Sequence, residues 1–209
     1  MKIGIIGPGN VGGNLGRIWA AKGHQIKYGV RNPQNKSAQE LVAASHGAAS
    51  ADMVSAAASF GEVVVLATPW PATQDAIQSA GDLSGKIVVD CVNPLKPDLS
   101  GLAIGHTTSA AEEIARWARG ARVVKAFNTI GAVNFAKSVF GRQRATMFIC
   151  GNDDSAKAVV ARLAEDIGFE VVDAGPLTQA RLLEPLAMLW ISLAFNKLGT
   201  NIAFKLMRR

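Results

Sequence analysis

Apolar residues along this chain fall into two alternating rhythms. Ile3 to Ile6, the segment EVVVLA from Glu62 to Ala67 and the segment KIVVDC from Lys86 to Cys91 are short, nearly continuous apolar runs. Such runs read as strands buried on both faces, as in a parallel sheet. Elsewhere the apolar residues recur three and four apart. Val11, Leu15, Ile18 and Trp19 predict a helix over Asn10 to Ala21, stopped by Gly23. Gln25 to Val30 reads as a second strand, and Ser37-Ala38-Gln39-Glu40 has capping-box spacing at the start of a helix that Gly47 ends. Thr73 to Ala80 predicts a helix. A second capping box, Ser109-Ala110-Ala111-Glu112, opens a helix ended by Gly120, before the strand Arg122 to Phe127. Ala145 to Cys150 is a strand, Asp153 to Asp166 a helix stopped by Gly168, and Glu170 to Asp173 a strand. A last helix runs from about Gln179 to Leu198, with Pro185 either kinking it or marking its true first turn.

Strands alternating with helices of this length predict an α/β fold, a doubly wound parallel sheet with right-handed crossovers. At 209 residues the chain can bury a full core. Residues 1–122 are expected to form its main body, and residues 123–209 a small C-terminal α/β extension ending in a helix, packed as one compact unit. No repeat or low-complexity linker interrupts it.

Composition narrows the partners. Charged residues make up 18% and hydrophobic residues 49%, so the chain is expected to fold throughout. The two cysteines, Cys91 and Cys150, each end an apolar stretch, which fits buried thiols in a reducing cytoplasm rather than a disulfide framework. The longest apolar stretch, Leu186 to Phe195, holds ten residues and includes Ser192. A membrane span needs about 20, so no membrane is expected; a buried helix or subunit contact is, with a homodimer as the assembly. The net charge is +6, and residues 1–39 carry Lys2, Arg17, Lys22, Lys27, Arg31 and Lys36 without one acid. These bases stand singly, without interleaved aromatics on which nucleobases would stack. A small polyanion therefore fits better than nucleic acid.

The polyanion has a place to sit. Gly7-Pro8-Gly9-Asn10-Val11-Gly12 is G-x-G-x-x-G directly after a strand and opening a helix. There Gly7 makes the tight turn, Gly9 admits a diphosphate against the backbone, and Gly12 lets helix and strand pack closely. The helix start then presents free N–H groups and a positive dipole end to the phosphates. This is the Rossmann dinucleotide signature. Folds that take NAD usually carry an acid about 20 residues on, for the ribose 2′-hydroxyl. Here Gln25 to Lys36 contains no acid, and Arg31 follows Val30 at the strand end, with Asn32 beside it and Lys36 beyond. A guanidinium pairs well with a 2′-phosphate, so NADP is the expected cofactor.

Thr68-Pro69 and Asn93-Pro94 each follow a predicted strand, at the edge where open parallel sheets bind ligands. Asn128-Thr129 stands at the same edge, where an amide is placed to hold the carboxamide of nicotinamide. Glu184 is expected to be a helix-end carboxylate paired with Arg181. Tyr28 is the only tyrosine and lacks a lysine four residues on, and His24, His46 and His106 are scattered without metal-ligand spacing. No metal site and no dedicated proton-transfer residue is expected. A hydride passed between two conjugated rings requires only that they be held at reacting distance. The stretch after Cys150 is too short for the helical substrate domain of imine or hydroxy-acid reductases. A redox sensor binding NADP(H) without turnover is the competing function.

The glycine fingerprint, GVRNP (Gly29 to Pro33), ATPW (Ala67 to Trp70), CGNDD (Cys150 to Asp154), DAGPL (Asp173 to Leu177) and the apolar last helix together resemble the deazaflavin (coenzyme F420)-dependent NADP reductases over nearly the whole length. VVKAFN (Val123 to Asn128) and the turn Val92 to Pro94 are similar to the NADPH-oxidising domain of six-transmembrane metalloreductases. The resemblance implies that Pro8 to Val11 and Arg31 hold NADP. It also implies that Asn128, Thr129, Ile130 and Ala132, with Gly175, Pro176 and Leu177, lie near a second cofactor or substrate. Val30 stands where the deazaflavin enzymes carry Ser, and Asn128 where they carry His. FMN or FAD therefore stands beside the deazaflavin as acceptor, and a ferric or flavin reductase beside the deazaflavin enzyme.

Overall fold

β1 (Lys2–Ile6), α1 (Asn10–Ala21) and β2 (Gln25–Val30) form in the computed structural model, which describes Met1 to Arg209, where the apolar rhythm predicts them. They are followed by α2 (Lys36–Ala43), β3 (Ala49–Met53), α3 (Val54–Phe60), β4 (Val63–Leu66), α4 (Thr73–Ala80), β5 (Ile87–Asp90), α5 (Ala110–Trp117) and β6 (Arg122–Lys125). The chain then forms a 3-10 segment (Ala132–Lys137), a small hairpin of β7 (Val139–Phe140) and β8 (Gln143–Arg144), β9 (Thr146–Gly151), α6 (Asp154–Ile167), β10 (Glu170–Asp173) and α7 (Ala180–Leu193).

One eight-stranded sheet carries the order β10-β9-β6-β5-β4-β1-β2-β3. The central strands β1, β4, β5 and β6 each feed two cores. Val63 and Val65 of β4 pack on one side with Ile3, Ile5, Trp19 and Phe127, while Val64 and Leu66 pack on the other with Ile6, Val88 and Ile114. All four β4 residues are essentially inaccessible, which is why their run is unbroken rather than alternating. Trp19 ties α1 to α6 by donating from Nε1 to the Leu163 carbonyl at 2.9 Å, and it meets Phe127 edge-on at 5.6 Å.

Four features depart from the sequence reading. β3 and α3 are absent from it, because Ala49 to Met53 forms a half-exposed edge strand without alternation and α3 is built of small residues with little periodicity. The second helix is capped by Asn35, whose side chain accepts from the Ala38 N–H, so the Ser37 capping box does not form. The sheet is mixed: β9 runs antiparallel to β6, Val124 facing Gly151 and Lys125 facing Cys150. No α-helix lies between those two strands to carry a parallel crossover. The last helix begins at Ala180, contains Pro185 in its second turn, and ends in a π-turn from Ala194 to Leu198. Pro185 has no N–H to give the Arg181 carbonyl. Leu189 and Phe195 face solvent rather than a core. Beyond Gly199 the tail runs back across the fold, where Ile202 accepts from Trp190 Nε1 and Phe204 from the Thr146 N–H.

The two cap assignments make different predictions. Asn35→Ala should cost about 1 kcal/mol, a fall in Tm of about 2–4 °C for a chain of this size. Ser37→Ala should stay within about 0.5 kcal/mol of the parent. Thermal unfolding followed by circular dichroism compares them, and the reverse ranking would restore the capping box.

Candidate functional site

The glycine turn after β1 divides its labour by geometry. Gly7 takes φ +85°, and a Cβ there would lie 2.8 Å from the Ala67 carbonyl. A Cβ on Gly12 would lie 2.6 Å from the Gly7 oxygen, so this glycine lets α1 approach β1. Gly9 faces open space, with nothing within 4 Å of a Cβ. It is also the N-cap of α1 and has no side chain to cap with, and the first turn holds no acid. α2, α5 and α6 are each capped by a side chain, from Asn35, Ser109 and Asp153. The leading N–H groups of α1, from Asn10, Val11 and Gly12, are thus left for a ligand or water.

A cleft of about 800 Å³ opens over the strand ends beside this turn. It gathers Gly7, Pro8, Val30, Arg31, Asn32, Thr68 and Pro69 of the sequence-predicted set, and continues into a space of about 300 Å³ that adds Gly9. Arg31 is exposed in it and makes no ion pair or hydrogen bond within the chain. Asn32 Oδ1 accepts from the Gln34 N–H at 3.0 Å. Thr68 exchanges a hydrogen bond with Thr73 at 2.9 Å, which fixes the turn into α4. Lys36, the first residue of α2, extends into solvent 3.7 Å from Glu40 and does not line the cleft. The opposite wall comes from Ala72, in the turn before α4, and from Asp75, Ala76 and Ser79 of α4. The sequence reading missed it; its only signal is that Ala72, Ala76 and Ser79 are small residues at helical spacing.

Asn93, Asn128, Thr129, Ile130 and Ala132 lie outside the residues lining that cleft. Asn93 and Asn128 grip each other: Asn128 Nδ2 donates to Asn93 Oδ1 at 3.1 Å and Asn93 Nδ2 to the Asn128 carbonyl at 3.0 Å. Asn128 Nδ2 also donates to the Leu183 carbonyl of α7 at 3.1 Å. Both contacts need the amide nitrogen, so the orientation of the group is fixed. Its Oδ1 is left buried without a partner, as is the Thr129 hydroxyl next door. The preceding Phe127 has φ +60°, a left-handed conformation that costs an aromatic residue of order 1 kcal/mol or more. Buried acceptors without a partner beside a strained residue call for one from outside the chain, an ordered water or a ligand. Gly175, Pro176 and Leu177 stand elsewhere. Because β9 is antiparallel to β6 and β10 parallel to β9, that loop opens on the opposite edge, where Gly175 accepts from the Gly151 N–H.

Between the Asn93–Asn128 pair and α7 lies a fully buried charge cluster that the sequence reading placed otherwise. Glu184 does not pair with Arg181. It is wholly inaccessible, lies 2.8 Å from Lys125 Nζ, and accepts from the Ala110 and Ala111 N–H groups at 3.0 and 3.2 Å. Arg181 instead forks onto Glu112 at 2.9 and 2.7 Å and holds that carboxyl below its ordinary range. Lys125 Nζ also donates to Asp90 at 2.8 Å and to the Val92 carbonyl. Burial pushes the Asp90 carboxyl up, against the opposing pull of Lys125. Burial alone would push the Lys125 ammonium down, but the Asp90 and Glu184 carboxylates outweigh it and hold it at about 12.

An F420-dependent NADP reductase of Methanocaldococcus jannaschii is 32% identical to the chain over 221 residues, covering 97% of each. The chain belongs to this reductase family. The family model described as NADP oxidoreductase, coenzyme F420-dependent, matches residues 2–94, from β1 to the Asn93-Pro94 turn. A crystal structure from Arthrobacter sp. FB24, provisionally described as an F420-dependent NADP reductase, superposes with a TM-score of 0.90 at 32% identity over the full length of both chains. Metalloreductase STEAP3 of Rattus norvegicus is 30% identical over 97% of the chain, which spans only 40% of that protein's length. No helix of this family member is long and apolar enough to cross a membrane.

The buried cluster fixes how this reductase relative responds to alkali. A raised lysine contributes stability that is fully present below its unfolded value of about 10.4 and is lost as pH rises through about 12. Tm should therefore fall more steeply above about pH 10 in the parent than in Lys125→Met. At pH 7 the variant, with two buried carboxylates and no counter-charge, should lose about 3–5 kcal/mol. Differential scanning calorimetry from pH 7 to 11.5 measures both.

Proposed function

We propose that this chain is an NADP(H)-dependent oxidoreductase that moves a hydride between NADPH and a planar acceptor, a deazaflavin such as coenzyme F420 or a flavin. The observation that carries the reading is an uncapped, acid-free helix start sharing one cleft with an unpaired arginine.

In this reading each part of the cofactor is assigned its own group of residues. Gly7, Pro8, Gly9, Asn10, Val11 and Gly12 present backbone N–H groups to the diphosphate. Arg31, with Asn32 and Val30 beside it, takes the 2′-phosphate, while Lys36, beside Glu40 and outside the cleft, makes no direct contact. Thr68 and Pro69 bound the middle of the cleft. Asn128 Oδ1, fixed by Asn93 and Leu183, accepts from the carboxamide of the nicotinamide, and the Thr129 hydroxyl offers a second contact. Ile130 and Ala132 follow Asn128 in the chain and are assigned to the acceptor side, whereas the Gly175–Leu177 loop, on the opposite edge of the sheet, takes no part. When bound, the reduced nicotinamide supplies a hydride, and the acceptor takes it together with one proton, leaving oxidised NADP. The protein's share is positioning and exclusion of water, which is sufficient for transfer between two held rings.

Asn128 favours a flavin as a second acceptor reading, because the metalloreductase-like sequences share the VVKAFN segment that holds it. Stopped-flow oxidation of NADPH by a deazaflavin, FMN, FAD and ferric chelates, with NADH as control, distinguishes the acceptors. Tight NADPH binding with no oxidation by any of them would establish the sensor instead. Arg31→Ala should weaken NADPH binding about 10- to 100-fold, the loss of a charge-assisted pair, and leave NADH within about twofold. An unchanged NADPH-to-NADH preference would remove the case for NADP.

A further inference from the structure

We infer that Asp90, Lys125 and Glu184 form a positioning cluster that holds the Asn128 amide in the orientation needed to receive the nicotinamide, so that Glu184 acts on cofactor binding without touching it. The inference rests on the proposed nicotinamide site and adds a device behind it.

The geometry is a three-way clamp. Three segments orient the Asn128 amide: the turn after β5, which supplies Asn93; the turn after β6, which carries Asn128 itself; and α7, which supplies the Leu183 carbonyl. Each is pinned by the cluster within three residues of its contact. Asp90 holds the β5 turn by accepting from the Val92 N–H at 2.8 Å, and Lys125 adds a hydrogen bond to the Val92 carbonyl. Lys125 is the last residue of β6. Glu184 adjoins Leu183 and anchors α7 to Lys125 and to the start of α5. All three side chains are inaccessible to solvent.

Energetics argues against a purely stabilising role. Burying an ammonium and two carboxylates exacts a desolvation cost that apolar residues of similar size avoid, and such substitutions are often neutral or stabilising. What an ionic cluster adds is direction. It fixes the mutual placement of three backbone segments more narrowly than apolar contacts, which tolerate sliding, and a carboxamide contact is sensitive to displacements of an ångström.

Two ligands separate positioning from general damage. NADPH engages both ends of the proposed site, whereas adenosine 2′,5′-bisphosphate engages only the Arg31 end. Titration calorimetry of Glu184→Gln should show NADPH weakened about tenfold, about 1.4 kcal/mol, with the bisphosphate within about twofold. Asn128→Ala should show the same split, and the double variant should lose no more than either alone, since both remove one contact. Equal weakening of both ligands, or losses that add in the double variant, would overturn the inference. If Asn128→Ala weakens NADPH and Glu184→Gln does not, the cluster fails while the site reading stands. If Asn128→Ala has no effect, the site reading itself fails. Should Glu184→Gln not fold, Asp90→Leu/Lys125→Met/Glu184→Leu removes all buried charge together and should give the same split. Failure of both to fold would make the cluster a folding requirement and also overturn the inference.

Discussion

The first N–H groups of α1 leave the strand edge with nothing in the chain to satisfy them, and a helix that begins this way must find an acceptor from outside. Gly7 and Gly12 make that exposure possible by letting α1 come within van der Waals distance of β1 and the β4 end. Gly9 keeps the space in front of it clear. The parallel order β5-β4-β1-β2 then brings the ends of four strands to the same edge, so that Val30, Arg31, Thr68 and Pro69 meet over one cleft. A bound anion there completes the helix, and the remainder of the fold holds that edge in place.

Legibility in the sequence followed the strength of the local signal. The core strands were readable because burial on both faces forces Val63 to Leu66 and Ile87 to Asp90 to be apolar throughout. The phosphate turn was readable because only glycine satisfies its steric demands, and Arg31 because it stands where an acid is otherwise found. β3 could not be read: an edge strand covered on little of either face needs no apolar alternation. Neither could the direction of β9, which depends on the path of residues 127–145 rather than on the strand's own residues. Two competent caps lay two residues apart, and the helix starts at Lys36, which puts Asn35 and not Ser37 at its N-cap.

Glu184 shows why pairing by sequence distance misleads. Arg181 lies three residues away on the same helix, yet Lys125 and the start of α5 capture the carboxylate, and Arg181 turns to Glu112. The two residues stand on the same side of α7, and both turn to α5, Glu184 to the Ala110 and Ala111 N–H groups and Arg181 to Glu112. The pairing was therefore set by what the neighbouring elements present, which spacing along α7 does not report.

Trp19 carries a consequence for how the chain reaches this state. Its indole is fully buried, yet the carbonyl it donates to belongs to α6, 144 residues further on, and the ring it meets edge-on is Phe127. A ribosome adding about 5–20 residues per second would leave α1 with a bare aromatic face for on the order of ten seconds before its cover emerges. During that interval the newborn N-terminal half has a sheet edge and an indole open to other chains, and its quality in a cell depends on what shields them.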